Sequence, residues 1–331
     1  MFCIIFPHPY SAFAEFYGNI FLLYRQAASF SNIYRLDSIV NFPALYYLFL
    51  LQEKYNTELK IYKNTLIRYY HGDENRTGYG FPLPLKSAKS ESTKTDSEWL
   101  KNALEYIFED AKKMSRKVQF CLVTQAQKLQ LDTCLAKNFG GYTISWKTNR
   151  DDCDYIYIRE NLAELPGSQY QKKRNHISRF NRTYGTNWEF KSYPENDIAA
   201  DILYVSQKWF EEKNGETEAV LRLEHESIKM ALENHELLKL RGGVLYINGQ
   251  PAAMTLAAPI SPDVLDVIYE KSFGDYEKNG AYPVINQQFA KRCQNYLYLN
   301  REEDMGVEGL RKAKLSYKPT IILERFYGKI S

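Results

Sequence analysis

The sequence lacks paired cysteines, metal-binding histidine motifs and nucleophile motifs. Its 331 residues include five cysteines, an odd number, and none forms a Cys-x-x-Cys pair. This usage favours reduced thiols in a cytoplasmic protein over a disulfide framework or a zinc knuckle. His225 and His235 lack an HExxH context, so no metal site is expected. No nucleophile elbow occurs either.

A strong net charge and a membrane-spanning run are also missing. The formal net charge of +3 is too close to neutral to indicate nucleic-acid binding by itself. Residues 1–24 are apolar but lack a basic segment, which argues against a signal peptide. Residues 42–51 form an apolar run too short to span a bilayer. What is present is ordinary apolar content and 27 tyrosines, which predicts a soluble protein with a globular core.

The first half of the chain is predicted to place strands between two helical regions. We expect helical structure over 19–52, two strands over 59–70 around a turn at Lys63-Asn64, a rigid Gly/Pro-punctuated connection over 77–84, and an exposed polar loop over 87–96. A helix over 98–114 capped by Ser97, a strand over 118–123, a helix over 125–138 and a strand over 154–158 follow.

The pattern restarts near residues 165–168, which predicts an N-terminal domain over 1–160 and a C-terminal domain over 161–331. Predicted helices cover 169–184 (capped by Ser168), 195–213, 222–235 and 282–296. Predicted strands cover 188–193, 238–247, 252–259, 264–271 and 320–326, with a hairpin turn at Asn248-Gly249. The fold class is therefore α/β (α+β).

The most informative stretch begins with a short buried strand over 296–299. The polar run Asn300-Arg-Glu-Glu-Asp304 follows, and a helix ending at Pro319 comes next. We expect Asp304 to be the helix N-cap and one apolar face to be formed by Val307, Leu310, Ala313 and Tyr317. Polar residues at a strand end before a helix are typical of ligand sites in α/β sheets. The alternative is a capping residue flanked by solvated charges.

Three stretches carry a resemblance to a known family. They are residues 165–177 with Phe180, residues 282–289, and residues 300–304 with 309–319. They resemble the phosphatidylglycerol lysyltransferase C-terminal domain family. The resemblance implies two tandem GNAT-like domains of mostly antiparallel sheets flanked by helices, similar to the Fem-type peptidyltransferases. It also implies acyl-CoA or aminoacyl-tRNA as donor, no metal, and direct transfer to an amine or hydroxyl of a small molecule, peptide or lipid headgroup.

The GNAT arrangement places the third meander strand beside the strand at 296–299, with the donor carbonyl between them. Glu270 is then a candidate base, and the candidate oxyanion donor is Lys271 or a backbone N–H. The alternative for this pair is a surface ion pair at a strand end. Further candidates that would orient donor or acceptor are Asn300, Arg301, Glu302 and Asp304. Arg301 with an adjacent glutamate is alternatively a structural pair.

Residues 274–283 occupy the position of the GNAT pyrophosphate loop, before a helix N-terminus. Only Lys278-Asn-Gly280 matches part of the usual loop motif. Predicted donor- or phosphate-binding residues are Tyr276, Lys278, Gly280, Ala281, Tyr282, Asn286 and Lys312. The alternative is a simple loop leading into a helix.

The helix over 169–184 is basic, and Ile177 and Phe180 are expected to face the core. Candidate residues for an anionic substrate are Lys172, Lys173, Arg174, His176 and Arg179. This helix is predicted to bind tRNA phosphates or an anionic acceptor, or else it is merely solvated. His176 is not favoured as a base, because no carboxylate partner is evident. The rival function from a different class is a non-catalytic ligand- or peptide-binding protein that retains the GNAT fold.

Overall fold

The computed structural model describes residues 57–63, 65–72, 76–84, 98–212 and 218–331. These residues belong to two compact units, one with residues 57–149 and 325–331 and the other with 150–324. The sequence analysis places the division at 160/161 instead. The strand β7, defined below, thus lies in the second unit, and the last strand of the chain lies in the first. The expectations for residues 1–24, 19–52, 42–51 and 87–96 and for Ser97 lie outside the described residues.

The first unit contains a seven-stranded sheet with the order β1-β2-β3-β5-β14-β6, and β4 also pairs with β2. Its strands are β1 (Glu58–Tyr62), β2 (Thr65–His71), β3 (Thr77–Tyr79), β4 (Leu83–Pro84), β5 (Gln119–Val123), β6 (Ile144–Thr148) and β14 (Phe326–Ile330). Its helices are α1 (Glu98–Lys113) and α2 (Gln125–Asn138). Thr124 and Gln127 form a reciprocal capping box that fixes the start of α2.

The second unit contains a seven-stranded sheet with the order β13-β7-β12-β11-β10-β9-β8. Its strands are β7 (Asp154–Ile158), β8 (Trp188–Tyr193), β9 (Arg241–Ile247), β10 (Gln250–Pro259), β11 (Val264–Ser272), β12 (Tyr298–Asn300) and β13 (Ile321–Leu323). Its helices are α3 (Arg159–Glu164), α4 (Gln171–Tyr184), α5 (Ala199–Glu212), α6 (Glu218–Glu233), α7 (His235–Leu238), α8 (Gly274–Lys278), α9 (Ala281–Arg292) and α10 (Glu308–Leu315).

Helices cover both faces of the second sheet. On one face, Phe180 of α4 and Val284 of α9 pack with Leu265 and Val267 of β11 in the main core. On the other face, Tyr269 of β11 makes a 2.6 Å hydroxyl–hydroxyl hydrogen bond to Ser227 of α6. The apolar sheet positions are therefore shielded on both sides, as the near-continuous apolar sequence of β10 requires.

Most sequence-predicted elements of the second half are confirmed, with shifts at their ends. The hairpin turn at Asn248-Gly249 forms with positive φ at both residues, as a type I′ turn requires. The predicted strand over 320–326 is wrong, because its residues divide between β13 and β14 in different sheets. The strand β6 is not predicted by the sequence analysis, and 77–84 contains β3 and β4 rather than only a connection.

Two predicted helix caps are also wrong. Ser168 belongs to a short 3-10 turn, and Tyr170 precedes α4 without a side-chain cap. Val307, not Asp304, is the N-cap of α10. The predicted apolar face of α10 is not found either, since Val307 and Ala313 are exposed while Lys314 and Tyr317 are buried.

Candidate functional site

The parallel strands β11 and β12 pair at their beginnings and then part. Their register pairs Val264 with Tyr298, Leu265 with Leu299 and Asp266 with Asn300, whereas β11 continues to Ser272. Past Asn300 the chain follows β7 instead, because the Arg301 N–H donates to the carbonyl of Tyr155 at 2.9 Å. An opening beside β11 results. In the described structure, β11 and β12 are not paired beyond these three residue pairs. Backbone hydrogen bonds therefore do not close the space that a donor carbonyl would need.

A β-bulge directs Glu270 into this opening. On β10 the neighbours Leu256 and Ala257 pair with Tyr269 and Val267, which leaves Ile268 as an extra residue on β11. A bulge reverses the alternation of side chains along a strand. Glu270 therefore lies on the sheet face that α9 covers, where Asn286 Nδ2 donates to its Oε2 at 3.3 Å.

An ion pair crosses the opening. Arg301 Nη2 donates to Glu270 Oε1 at 2.8 Å, and the two side chains are only 14% and 11% exposed. The guanidinium carbon of Arg301 lies 5.1 Å from the ring centre of Tyr317 and 6.0 Å from that of Tyr157. Both aromatic rings lie within the range of cation–π attraction. The arginine is thus fixed in orientation by a carboxylate and two rings.

Lys173 of α4 adds a second cation. Its ammonium lies 3.7 Å from the centre of the Tyr317 ring, which it shares with Arg301. Burial, followed by the nearby charges of Arg301 and Lys172, lowers the pKa of Lys173 to about 8. We call the opening with Glu270, Arg301, Lys173, Asn286, Thr255 and Tyr317 the cleft.

Three buried polar atoms around Glu270 have no hydrogen-bond partner within the described ranges. They are Arg301 Nη1, Asn286 Oδ1 and Thr255 Oγ1. Thr255 is fully buried and lies directly opposite Glu270 in the register of β10 and β11. An unsatisfied buried polar group costs about 1–3 kcal/mol. A guanidinium donor, an amide oxygen acceptor and a hydroxyl that can donate or accept suit a ligand that offers both hydrogen-bond donors and acceptors.

Lys271 does not join the cleft. It follows Glu270 on β11 and points to the opposite face, where its ammonium pairs with Glu224 and lies 3.4 Å from the ring centre of Trp209. The hydroxyl of Tyr282 in α9 contacts the end of β11, where it accepts from the Ser272 N–H at 3.2 Å. Lys271 and Glu270, predicted to act together, are separated by strand alternation.

The loop before α9 uses several of its own amide groups. The N–H groups of Glu277, Asn279 and Gly280 donate within α8 and its end. The Gly274 N–H donates to the Glu212 carboxylate at 2.8 Å. Pro283 provides no N–H in the first turn of α9. No side chain caps α9 at Gly280, so the first-turn amides of Ala281 and Tyr282 have no intrahelical acceptor.

The predicted donor-binding side chains of the loop are dispersed. The Tyr276 ring packs edge-on against Phe273, while Lys278 is 77% exposed and pairs with Asp275 at 3.1 Å. Gly280 has a φ of 100° and precedes Ala281 as the N-cap of α9. Lys312 is 74% exposed and pairs with Glu308 on its own helix. Of the predicted donor-binding residues, Asn286 is the one that reaches Glu270.

Some basic side chains of α4 bind backbone carbonyls of neighbouring segments, and others are exposed to solvent. Arg174 donates to the carbonyls of Leu165 and Gly167 at 2.5 and 2.7 Å. Arg179 donates to the carbonyl of Lys278 at 2.8 Å, and Lys172 is exposed. Burial, followed by Lys173, Arg179 and Lys172, lowers the pKa of His176. Phe180 lies in the core and Ile177 packs against it, as predicted.

Asp304 and Lys314 support the cleft from behind. Arg311 binds Asp304 in a bidentate pair at 2.8 and 2.7 Å, and these hydrogen bonds foremost hold the pKa of Asp304 well below its usual range. The Lys314 ammonium donates to the carbonyls of Arg301, Glu302 and Glu303. The Asn300 side chain accepts the Glu302 N–H at 3.2 Å. These contacts fix the backbone that carries Arg301.

The sequence analysis did not single out Tyr157, Thr255 or Tyr317 as site residues. Thr255 had a usable signal, because it is the one hydroxyl within the buried run of β10. Tyr317 was assigned only to the apolar face of its helix. Among the described residues, no cluster of three His, Cys, Asp or Glu side chains is arranged to hold a metal ion.

Two mixed sheets flanked by helices, with a parted parallel strand pair in the second unit, define the class of GNAT-like and Fem-type folds. The family profile of phosphatidylglycerol lysyltransferase, C-terminal, matches residues 44–328. The chain belongs to this family, and the expected resemblance, fold and acyltransferase class are confirmed.

Solved structures support the fold. A conserved protein of unknown function from Bacteroides thetaiotaomicron is 31% identical, with a TM-score of 0.74 over 95% of this chain and 97% of the other. L-PGS from Bacillus licheniformis is 14% identical, with a TM-score of 0.56 over 89% and 91%. FemX is 8% identical, with a TM-score of 0.57 over 95% and 96%. No helix in the described ranges is both long and apolar enough to cross a bilayer.

Proposed function

We propose that this protein transfers an aminoacyl group from aminoacyl-tRNA directly to an amine or hydroxyl acceptor. The observation that carries the proposal is the parting of β11 and β12, which the Glu270–Arg301 pair crosses. In this proposal the ester carbonyl of the donor enters the cleft. The family membership supports acyl transfer as the class of reaction.

The chemistry follows from the free atoms of the cleft. The acceptor nitrogen or oxygen attacks the ester carbonyl carbon, and negative charge develops on the carbonyl oxygen. Arg301 Nη1 is a buried donor without a partner in the described structure, so it is available to stabilise that oxyanion. Glu270 takes the proton of the attacking nitrogen or oxygen, and the bond from the carbonyl carbon to the ribose oxygen breaks. The protonated Glu270 then returns this proton to the ribose oxygen, which leaves as a hydroxyl.

Two observations favour an aminoacyl donor over acyl-CoA. In the loop before α9, the Glu212 carboxylate already occupies the amide of Gly274. A diphosphate at this loop would meet the charges of Asp275 and Glu277 as well. By contrast, the free acceptor atom Asn286 Oδ1 suits the α-amino group of an aminoacyl ester, which a plain acyl group lacks.

The helix α4 supplies a path for the tRNA backbone. Lys172, Arg179 and Arg182 are exposed on it, and Lys173 of the same helix reaches the cleft. Phosphate contacts from such cations give most of the sequence-independent affinity for nucleic acids. We therefore expect donor affinity to fall steeply with salt concentration.

The test compares donors on the purified full chain. Binding of charged tRNA and of acetyl-CoA is measured by calorimetry, and transfer from radiolabelled aminoacyl-tRNA to a panel of amines, peptides and lipid headgroups is then followed. We expect aminoacyl-tRNA to bind and to react, and Glu270→Gln to lower the transfer rate by about 10²-fold or more. The exposed Glu233→Gln is the matched control.

Three outcomes would decide against parts of the proposal. Binding of acetyl-CoA in place of tRNA would reassign the donor. If charged tRNA binds but transfer persists in Glu270→Gln, Glu270 is not the base. If Glu270→Ala and Arg301→Ala leave a cellular phenotype intact while substitutions of Lys172 and Arg182 abolish it, the protein is a binding module rather than an enzyme.

A further inference from the structure

We infer that the cleft accepts a neutral or acidic aminoacyl group and rejects a cationic one, with Lys173 and Arg301 setting this preference. This inference rests on the proposed function, because it concerns the side chain of the group transferred. The name of the family suggests transfer of lysine, and the preference inferred here differs from that.

The charge balance of the cleft carries the argument. Arg301 and Lys173 both lie against the Tyr317 ring, at 5.1 and 3.7 Å from its centre. Glu270 is the carboxylate whose negative charge raises the pKa of both cations. Glu270 already pairs with Arg301 at 2.8 Å, so Lys173 stays as an excess positive charge.

Neighbouring carboxylates are engaged elsewhere. Asp304 is fully buried and held by Arg311. Glu302 and Glu303 act on Lys314, whose ammonium lies behind the cleft on their carbonyl groups. Glu224 pairs with Lys271 on the opposite face of β11. A lysyl or arginyl side chain in the cleft would thus meet two cations without a carboxylate of its own.

The acceptor atoms of the cleft are placed for the α-amino group, not for a second ammonium. Asn286 Oδ1 and Glu270 lie together, and their separation is set by the 3.3 Å hydrogen bond from Asn286 Nδ2 to Glu270 Oε2. An α-amino group next to the ester carbonyl reaches both of them while the carbonyl oxygen faces Arg301 Nη1. Specificity then comes from repulsion, since like charges in a poorly hydrated site interact strongly.

Lys173 also contributes a free donor. Its ammonium forms no ion pair within the described residues and is held only by the Tyr317 ring. A glutamyl or aspartyl side chain would form an ion pair with this ammonium. An alanyl or seryl side chain would neither pair with the ammonium nor repel it. The order of affinity we expect is glutamyl, then alanyl, then lysyl.

The test uses stable 3′-aminoacylamino-3′-deoxyadenosine probes that carry alanyl, glutamyl or lysyl groups. Their affinities for the full chain are measured by calorimetry at pH 7, which requires no acceptor. We expect the lysyl probe to bind at least about tenfold more weakly than the alanyl probe. Lys173→Glu should reverse the order of the glutamyl and lysyl probes, and Lys173→Met should bring the three affinities closer together.

The outcomes separate the two proposals. If the lysyl probe binds as tightly as the alanyl probe, the charge preference is overturned while aminoacyl transfer stands. If none of the three probes binds, both proposals fail. Circular dichroism and thermal melting of each variant verify folding, and the exposed Lys229→Met serves as the charge-matched control.

Discussion

Each unit contains a helix that joins two parallel neighbouring strands, but the polar groups beside these strands are used differently. In the first unit, α1 follows β3 and the short β4 in the chain and precedes β5, and the described residues of β3 and β5 pair through Tyr79 and Phe120. In the second unit, α9 joins β11 to β12. The charges and polar atoms beside the two strand pairs therefore show which features a reactive cleft needs in addition to the fold.

The charges near β3 form a mutually neutralised network. The Tyr79 hydroxyl donates to Asp110 at 2.7 Å, and the Lys60 ammonium pairs with the same carboxylate. Arg116 pairs with Glu58 at 2.6 Å and approaches Asp110 at 3.8 Å. Arg116 Nη1 has no hydrogen-bond partner in the described residues, as Arg301 Nη1 has none in the cleft. The two cations and two carboxylates of this network nevertheless balance in charge, which favours a structural role for it.

The charges of the cleft are not balanced in this way. The negative charge of Glu270 is balanced by Arg301, and Lys173 adds a second positive charge. The guanidinium N–H of Arg301, the amide oxygen of Asn286 and the hydroxyl of Thr255 lack hydrogen-bond partners in the described structure. Pre-organised polar atoms without partners suit a site that binds a reacting group. The same topology therefore supports stability in one unit and, in our proposal, chemistry in the other.

The largest expected effect is on Arg301, and it tests the catalytic side of the comparison. Arg301→Lys keeps the charge but removes the fork that faces both Glu270 and the donor carbonyl. We expect the transfer rate to fall by about 10²–10³-fold with little change in the melting temperature. Single-turnover kinetics with charged tRNA provide the measurement. An unchanged rate would mean that Arg301 is a structural partner, like Arg116.

The second effect concerns the network of the first unit. Asp110→Asn removes the carboxylate that Lys60 and Tyr79 share, and we expect the free energy of unfolding to fall by about 1–3 kcal/mol. The transfer rate of the folded protein should stay unchanged. Urea denaturation measures the first quantity, and Tyr79→Phe is a milder companion. A loss of transfer in folded Asp110→Asn would show that the first unit takes part in the chemistry.

Lys314 offers a test of how the cleft is supported. Its ammonium binds three successive carbonyls of the segment that carries Arg301. Lys314→Met leaves these carbonyls without their donor, so we expect a loss of about 1–3 kcal/mol in stability. Transfer should fall as well, through misplacement of Arg301. If hydrogen exchange of residues 301–303 is unchanged in the variant, this supporting role is wrong.

The sequence predicted the strand–helix–strand order around the cleft because strand patterns and turn residues are local signals. It also predicted Glu270 and Arg301 as candidate catalytic residues and Asn286 as a candidate donor-binding residue, and the structure brings the three together. It could not separate Lys271 from Glu270, because the bulge at Ile268 depends on pairing with β10. The role of Asp304 was missed for a similar reason, since Arg311 and Tyr155 converge on it only after folding.

The parting of β12 from β11 was expected from family resemblance rather than from residue patterns. Short strands carry little periodicity, and β12 has only three residues. The division of 320–326 between two sheets is likewise invisible to a local pattern, because both segments are apolar and β-branched or aromatic. The strand topology could be predicted from the family resemblance, whereas the contacts of individual side chains could be seen only in the structure.

The smallest expected effect concerns pH and the charge preference of the cleft. Lys173, with a pKa of about 8, is mostly charged at pH 7 and mostly neutral at pH 9. Arg301 stays charged throughout, and the lowered pKa of His176 keeps that ring neutral over this range. We therefore expect the preference for the alanyl over the lysyl adenosine probe to shrink by a few-fold between pH 7 and pH 9.

Taking the ratio of the two affinities removes the titration of the α-amino group, which both probes share. Calorimetry at four or five pH values gives the midpoint of the change, which should lie near 8. In Lys173→Met the ratio should be flat with pH, because the titrating cation is gone. A ratio that still changes with pH in this variant would show that Lys173 is not the titrating group, and the assignment of the charge preference to Lys173 would then be wrong.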